Sequence, residues 1–145
     1  MKILFTCLGN ICRSPIAEGV LRKKMKAMGL TWQVASNGTN RYHKGDAADQ
    51  RTIAVCHDHG VDIRSHIARR FKTTDFSEYD HIICMAEDVF IELQEFVTDK
   101  NQLQKVQIIS FNDPWYGGQE GFDECYRAIA TYCDTLLEEL LANKN

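Results

Sequence analysis

Within eight consecutive positions, Cys7-Leu8-Gly9-Asn10-Ile11-Cys12-Arg13-Ser14, the sequence brings together a nucleophile, a guanidinium and a hydroxyl. They follow a short β-prone run, Lys2-Ile3-Leu4-Phe5-Thr6, and lead through Ser14-Pro15 into residues of helical spacing. A loop that closes on a helix N-terminus offers unpaired amides and the positive end of the helix dipole, which together make a cradle for an anion. Gly9 and Asn10 are residue types that tolerate the backbone geometry of a tight cradle. Arg13 adds a planar fork able to hold two phosphate oxygens at once. The same field favours a thiolate at Cys7, to which Ser14 could donate a hydrogen bond. The ATP-binding G-x-x-x-x-G-K-[ST] and dinucleotide G-x-G-x-x-G patterns are both absent. A second candidate is Asp113, in Asp113-Pro114-Trp115-Tyr116. By itself Asp-Pro most commonly starts a turn, but a carboxylic acid facing Cys7 could protonate a departing oxygen.

These residues need a scaffold. Ser14 is placed to cap a helix with Pro15 at its first position, and Ile16, Val20, Leu21, Met25 and Met28 recur at helical spacing before Gly29. Trp32 to Ala35 reads as a second strand, Ser36 to Asn40 as a turn, and Asp49 to His59 as a helix closed by Gly60. Ile82 to Met85 is a third, fully buried strand, Glu87 to Phe96 a helix, Val106 to Ser110 a fourth strand, and Phe122 to Leu141 a long amphipathic helix. Strands alternating with helices imply an α/β fold with a four-stranded parallel sheet, helices on both faces, and the ligand site at the carboxyl ends of the strands. The phosphate loop then follows strand 1, and Asp113 lies on the same rim.

Composition sets the limits. A chain of 145 residues, 44% hydrophobic and 26% charged, leaves room for one domain and excludes disordered and collagenous classes. A net charge of −3 provides no global basic field, so nucleic acid is not an expected partner. The run Ile82 to Ala86 is far too short to cross a bilayer, and the start lacks a signal-peptide core, so a cytoplasmic protein without a membrane partner is expected. Six cysteines in that setting are expected to be thiols, with Cys84, Cys125 and Cys133 as buried apolar residues. His57, His59 and His81 read as solvated or capping residues, and the basic positions around Arg22 and around Arg69 as solvated faces.

The stretch from Cys7 to Glu18 resembles the signature of the low-molecular-weight protein tyrosine phosphatases, and Asp113-Pro114-Trp115-Tyr116 resembles that family's second motif. The resemblance extends through Tyr42, Gly60-Val61-Asp62 and Ser65-His66-Ile67-Ala68-Arg69. It implies a phosphotyrosine monoester hydrolase without metal or other cofactor, working through a phosphocysteine at Cys7, with Arg13 as clamp and Asp113 as acid and then base. Leu8, Gly9, Asn10, Ile11, Cys12 and Ser14 would bind the phosphate, and Tyr42, Trp115 and Tyr116 would wall the cleft. Related arginine phosphatases carry Thr where Ile11 stands, which favours phosphotyrosine. Cys12 corresponds to the family's second cysteine, which traps the oxidised nucleophile as a disulfide; a packing role is the equal alternative. His66 matches a histidine that props the loop. The family's Met-Asp after the third strand is here Met85-Ala86, so a supporting carboxylate is missing or displaced.

Expected partners are phosphotyrosine proteins and a cognate tyrosine kinase, with the enzyme a monomer or weak dimer. Arsenate reduction is the second reading, since related proteins do it on this fold. It needs a relay of further cysteines, and Cys125 and Cys133 stand eight positions apart, ~12 Å along a helix. A non-enzymatic phosphate-binding module is the third, and the presence of Cys7, Arg13 and Asp113 together argues against it.

Overall fold

A computed structural model describes residues 1–114 and 118–143. The chain runs β1 (Lys2–Cys7), α1 (Arg13–Ala27), β2 (Gln33–Gly38), α2 (Gln50–Asp58), α3 (Asp75–Glu78), β3 (His81–Cys84), α4 (Glu87–Leu93), β4 (Val106–Ile108) and α5 (Gly118–Ala142). The four strands form one parallel sheet in the order β2-β1-β3-β4. From β1 the chain first goes to one neighbour, β2, and then crosses to the other, β3. The carboxyl end of β1 is therefore the switch point at which open α/β sheets bind ligands, and Cys7 is its last residue.

Both faces of β1 are covered, which is why its residues are apolar almost without interruption. Ile3 and Phe5 belong to a core shared with Ile16, Val20 and Leu21 of α1 and with Phe122 and Ile129 of α5. Leu4 faces the opposite core, with Phe71, Phe76, Ile82, Val89 and Leu93. There Phe71 meets Phe76 and Phe96 edge to face at 5.0 and 5.4 Å. On α5, Phe122, Cys125, Tyr126, Ile129, Cys133, Leu136, Leu137 and Leu140 form the buried stripe expected of it. All six cysteines are buried thiols.

Several boundaries differ from expectation. Ser36, Asn37 and Gly38 extend β2 instead of forming a turn, because they pair with Phe5, Thr6 and Cys7. The sheet supplies partners for their backbone polar groups, and pairing overrides local turn preference. Helix α1 starts at Arg13 with Cys12 at its cap position and no side-chain cap, so Ser14 is not the cap. Its hydroxyl is engaged elsewhere, as described below. β4 stops at Ile108, although Ile109 and Phe111 still donate to the carbonyls of Cys84 and Met85. The short helix α3 has no counterpart in the sequence reading, and α5 begins earlier, at Gly118. Among the described residues no helix is long and apolar enough to cross a membrane.

Candidate active site

The loop after β1 turns on Asn10, which holds φ at 60°, the left-handed region. For a residue with a Cβ that conformation costs ~1–2 kcal/mol, and Asn is among the side chains that bear it best. Here the environment compensates. Asn10 Nδ2 donates to Ser14 Oγ (2.8 Å) and Ser36 Oγ (3.0 Å), and Oδ1 accepts from the Arg69 N–H (3.0 Å). Its carbonyl accepts from His66 Nε2 (2.7 Å), which fixes the proton of that imidazole on Nε2. Asn10 and Ser14 are fully buried, so their side chains hold the loop from behind and do not line a cleft.

Ser14 Oγ lies 2.9 Å from Cys7 Sγ and 3.2 Å from the Asn37 carbonyl. Either atom of the Cys7–Ser14 contact can donate: a thiol can give its proton to the hydroxyl oxygen while the hydroxyl donates to the Asn37 carbonyl, and a thiolate at Cys7 would instead draw the hydroxyl proton to itself. Arg13, 4% exposed, donates from Nη1 to the Phe111 carbonyl (3.2 Å), while Nη2 stands 3.6 Å from Asp113 Oδ2. This contact crosses from α1 to the segment beyond β4 and brings the two motifs together. A pocket of about 290 Å³ is lined by Cys7, Leu8, Gly9, Ile11, Cys12 and Arg13 on its floor and by Asn40, His43 and Asp113 on its walls. Burial pushes the Cys12 thiol up to about 12, and does the same to Cys56, Cys84, Cys125 and Cys133.

The wall departs from expectation. Tyr42 is 88% exposed and does not line this pocket; the next residue, His43, does. A turn in which Lys44 N–H donates to the Arg41 carbonyl places the two side chains differently. The His43 ring lies over Gly9, where an added Cβ would come within 2.9 Å of Cδ2, and Nδ1 is 3.2 Å from Asp46 Oδ2. Trp115 and Tyr116 lie outside the described residues.

Support for the loop comes from residues that composition and spacing did not mark. Gly38 has no room for a side chain, since a Cβ would come within 2.5 Å of the Leu8 carbonyl and 2.9 Å of the Asn10 nitrogen. Arg69, expected on a solvated face, instead grips the fully buried Asp75 with both terminal nitrogens at 3.2 Å. Asp75 also accepts from Asn37 Nδ2 (3.1 Å) and Lys72 N–H (2.9 Å). Burial alone would push Arg69 down, but Asp75 outweighs it and holds the guanidinium above its ordinary value. Nor is the basic face of α1 merely solvated: Lys24 pairs with Asp134 (2.6 Å), and Lys23 donates to the carbonyls of His59 (3.3 Å) and Gly60 (3.0 Å). On the rim after β3, next to Ala86, Glu87 and Asp88 are exposed. The carboxylate that reaches inward is Glu92, whose Oε2 accepts from Thr39 Oγ1 at 2.6 Å. Among these residues Arg69 falls in a stretch that carries the family resemblance, whereas Gly38, Asp75 and Glu92 lack such a signal because what they meet is distant along the chain.

A family model described as low molecular weight phosphotyrosine protein phosphatase matches residues 2–145. The chain is 32% identical to the Schizosaccharomyces pombe low molecular weight phosphotyrosine protein phosphatase, with 97% of each chain covered. It is 34% identical to the human protein of the same description, over 95% of this chain and 94% of that one. Among solved structures, an Entamoeba histolytica protein tyrosine phosphatase with Hepes in its active site superposes with a TM-score of 0.92 at 34% identity, covering 100% of this chain and 99% of that one. A Vibrio vulnificus protein in complex with benzylphosphonate gives 0.85 at 27% identity, with 96% and 98% covered. The pairing of a Cys7-to-Arg13 loop with Asp113 across one pocket thus sits in a chain that belongs to the low molecular weight phosphotyrosine protein phosphatase family.

Proposed function

We propose that this enzyme hydrolyses phosphotyrosine monoesters in proteins through a phosphocysteine, with Asp113 as acid and then base. The observation that carries the reading is one pocket holding Cys7 Sγ, with Ser14 Oγ at 2.9 Å, and Arg13 and Asp113 3.6 Å apart. Cys7 Sγ attacks phosphorus as the bond to the tyrosyl oxygen breaks, and the Asp113 carboxylic acid gives its proton to that oxygen. Water then attacks the phosphocysteine, Asp113 takes its proton, and the S–P bond breaks to return the thiolate and release phosphate. Arg13, already aimed by the Phe111 carbonyl, and the uncapped start of α1 supply positive charge where the phosphoryl oxygens gather it. Leu8 and Ile11 give the floor an apolar character suited to an aryl ester. The benzylphosphonate held by the V. vulnificus relative has that same aryl and phosphoryl chemistry.

No step in this sequence uses a metal, and the chemistry fits phosphotyrosine proteins, hence a tyrosine kinase acting upstream. The test is hydrolysis of phosphotyrosine, phosphoserine and phosphoarginine peptides side by side, with and without chelator. Turnover confined to phosphotyrosine and indifferent to chelator is expected. Equal turnover of phosphoarginine, or loss of activity with chelator, would overturn the reading.

A further inference from the structure

Thr39 is 2% exposed and commits each of its polar groups. Its N–H donates to the Cys7 carbonyl at 2.9 Å, its carbonyl accepts from Arg70 Nε at 3.2 Å, and its hydroxyl lies 2.6 Å from Glu92 Oε2. The Cys7 carbonyl is also 3.5 Å from that hydroxyl, so one proton has two acceptors. The carboxylate oxygen, nearer by 0.9 Å (3.5 against 2.6 Å), takes it. The next residue, Asn40, donates its N–H to the Leu8 carbonyl (3.0 Å) and lines the phosphate pocket. The end of β2 and the residues after it therefore form a belt along the first half of the loop, pressed so close at Gly38 that no Cβ fits. Glu92, from α4 on the far side of the sheet rim, is the charged anchor of that belt.

We infer that Glu92 is a positioning residue for the catalytic cysteine, holding Thr39 so that the belt fixes the Cys7 carbonyl and the Asn40 wall of the phosphate pocket. The inference rests on the proposed phosphatase reading and adds to it a residue remote from the reacting atoms.

The experiment compares Glu92→Ala, Glu92→Gln, Thr39→Val and the Glu92→Ala/Thr39→Val double variant. Binding of inorganic phosphate is measured by calorimetry, kcat/KM on a phosphotyrosine peptide, and the melting temperature of each. Loss of one charge-assisted hydrogen bond predicts about tenfold weaker phosphate binding and about tenfold lower kcat/KM for Glu92→Ala and Thr39→Val. The double variant falls no further than either single one, since both remove the same contact. Glu92→Gln, which keeps an acceptor oxygen, stays within about threefold of the parent. Both limbs of the pH–rate profile persist, because the substitutions leave Cys7 and Asp113 in place. Unchanged phosphate affinity in Glu92→Ala, whatever its melting temperature, would overturn the inference, as would Glu92→Gln falling as far as Glu92→Ala. Because phosphate binding needs no turnover, this result is separate from a failure of the parent enzyme to hydrolyse phosphotyrosine.

Discussion

The two halves of the pocket are built in contrasting ways. Cys7 is 3% exposed, at the end of β1, and its loop is held by the Ser36 hydroxyl of β2, the His66 ring and the Arg69 N–H. Asp113 is 39% exposed in its side chain and stands beyond the shortest strand, where Arg13 ties the segment in through Phe111 and Asp113. The difference suits the chemistry proposed for each half. A nucleophile gains from a fixed direction and fixed hydrogen-bond partners, and any reorganisation there adds to the barrier. An acid that must lose a proton to one oxygen and regain one from water has to remain in contact with solvent.

The sharpest test of that contrast removes the nucleophile. Cys7→Ser should lose turnover by about 10⁴-fold or more while phosphate binding by calorimetry persists, since Arg13 and the loop remain. Activity near that of the parent would remove Cys7 from the mechanism. Asp113→Asn should lower phosphotyrosine turnover by ~10²–10⁴ and blunt the pH dependence. On an aryl phosphate whose phenol is strongly acidic the first turnover should fall much less. Equal losses on both esters would show that Asp113 does not protonate the leaving group.

Smaller changes probe the packing of the loop half. In Gly38→Ala a methyl group would meet backbone at Leu8 and Asn10, so the loop itself must shift. Crowding of that kind costs ~1–3 kcal/mol of stability, and about a tenfold loss in kcat/KM should accompany it. Denaturant melts and kinetics read both, and a variant with parental activity would show that the loop tolerates displacement. The mildest probe alters nothing but labels. Cys12, Cys56, Cys84, Cys125 and Cys133 are pushed up to about 12, so each remains a protonated thiol through neutral and moderately alkaline pH. Iodoacetate at pH 7 should therefore modify Cys7 alone, and phosphate should protect it, as peptide mapping by mass spectrometry would reveal. Labelling of Cys12 at a similar rate would mean that the pocket activates both sulfurs.

Arsenate reduction, the second reading, needs a relay of cysteines, and Cys125 and Cys133 stand too far apart on one helix to pair. The structure adds a further reason in the thiols themselves, since burial keeps both protonated and poorly nucleophilic.

What the sequence determined by itself was whatever depends on neighbours in the chain. The apolar run of β1, the stripe of α5 and the C-x5-R-S spacing each carry their pattern within a few residues, and the sheet and the loop follow from them. It could not determine where polar side chains find partners. Ser36 and Asn37 read locally as a turn and become strand because β1 pairs with them. Arg69 reads as a solvated cation and becomes the partner of buried Asp75, while His43, and not the exposed Tyr42 beside it, lines the pocket. Glu92, whose carboxylate accepts from Thr39, stands 53 positions from it in the sequence. A hydrogen bond's worth depends on distance and burial in three dimensions, and neither is encoded in the spacing of residues along the chain.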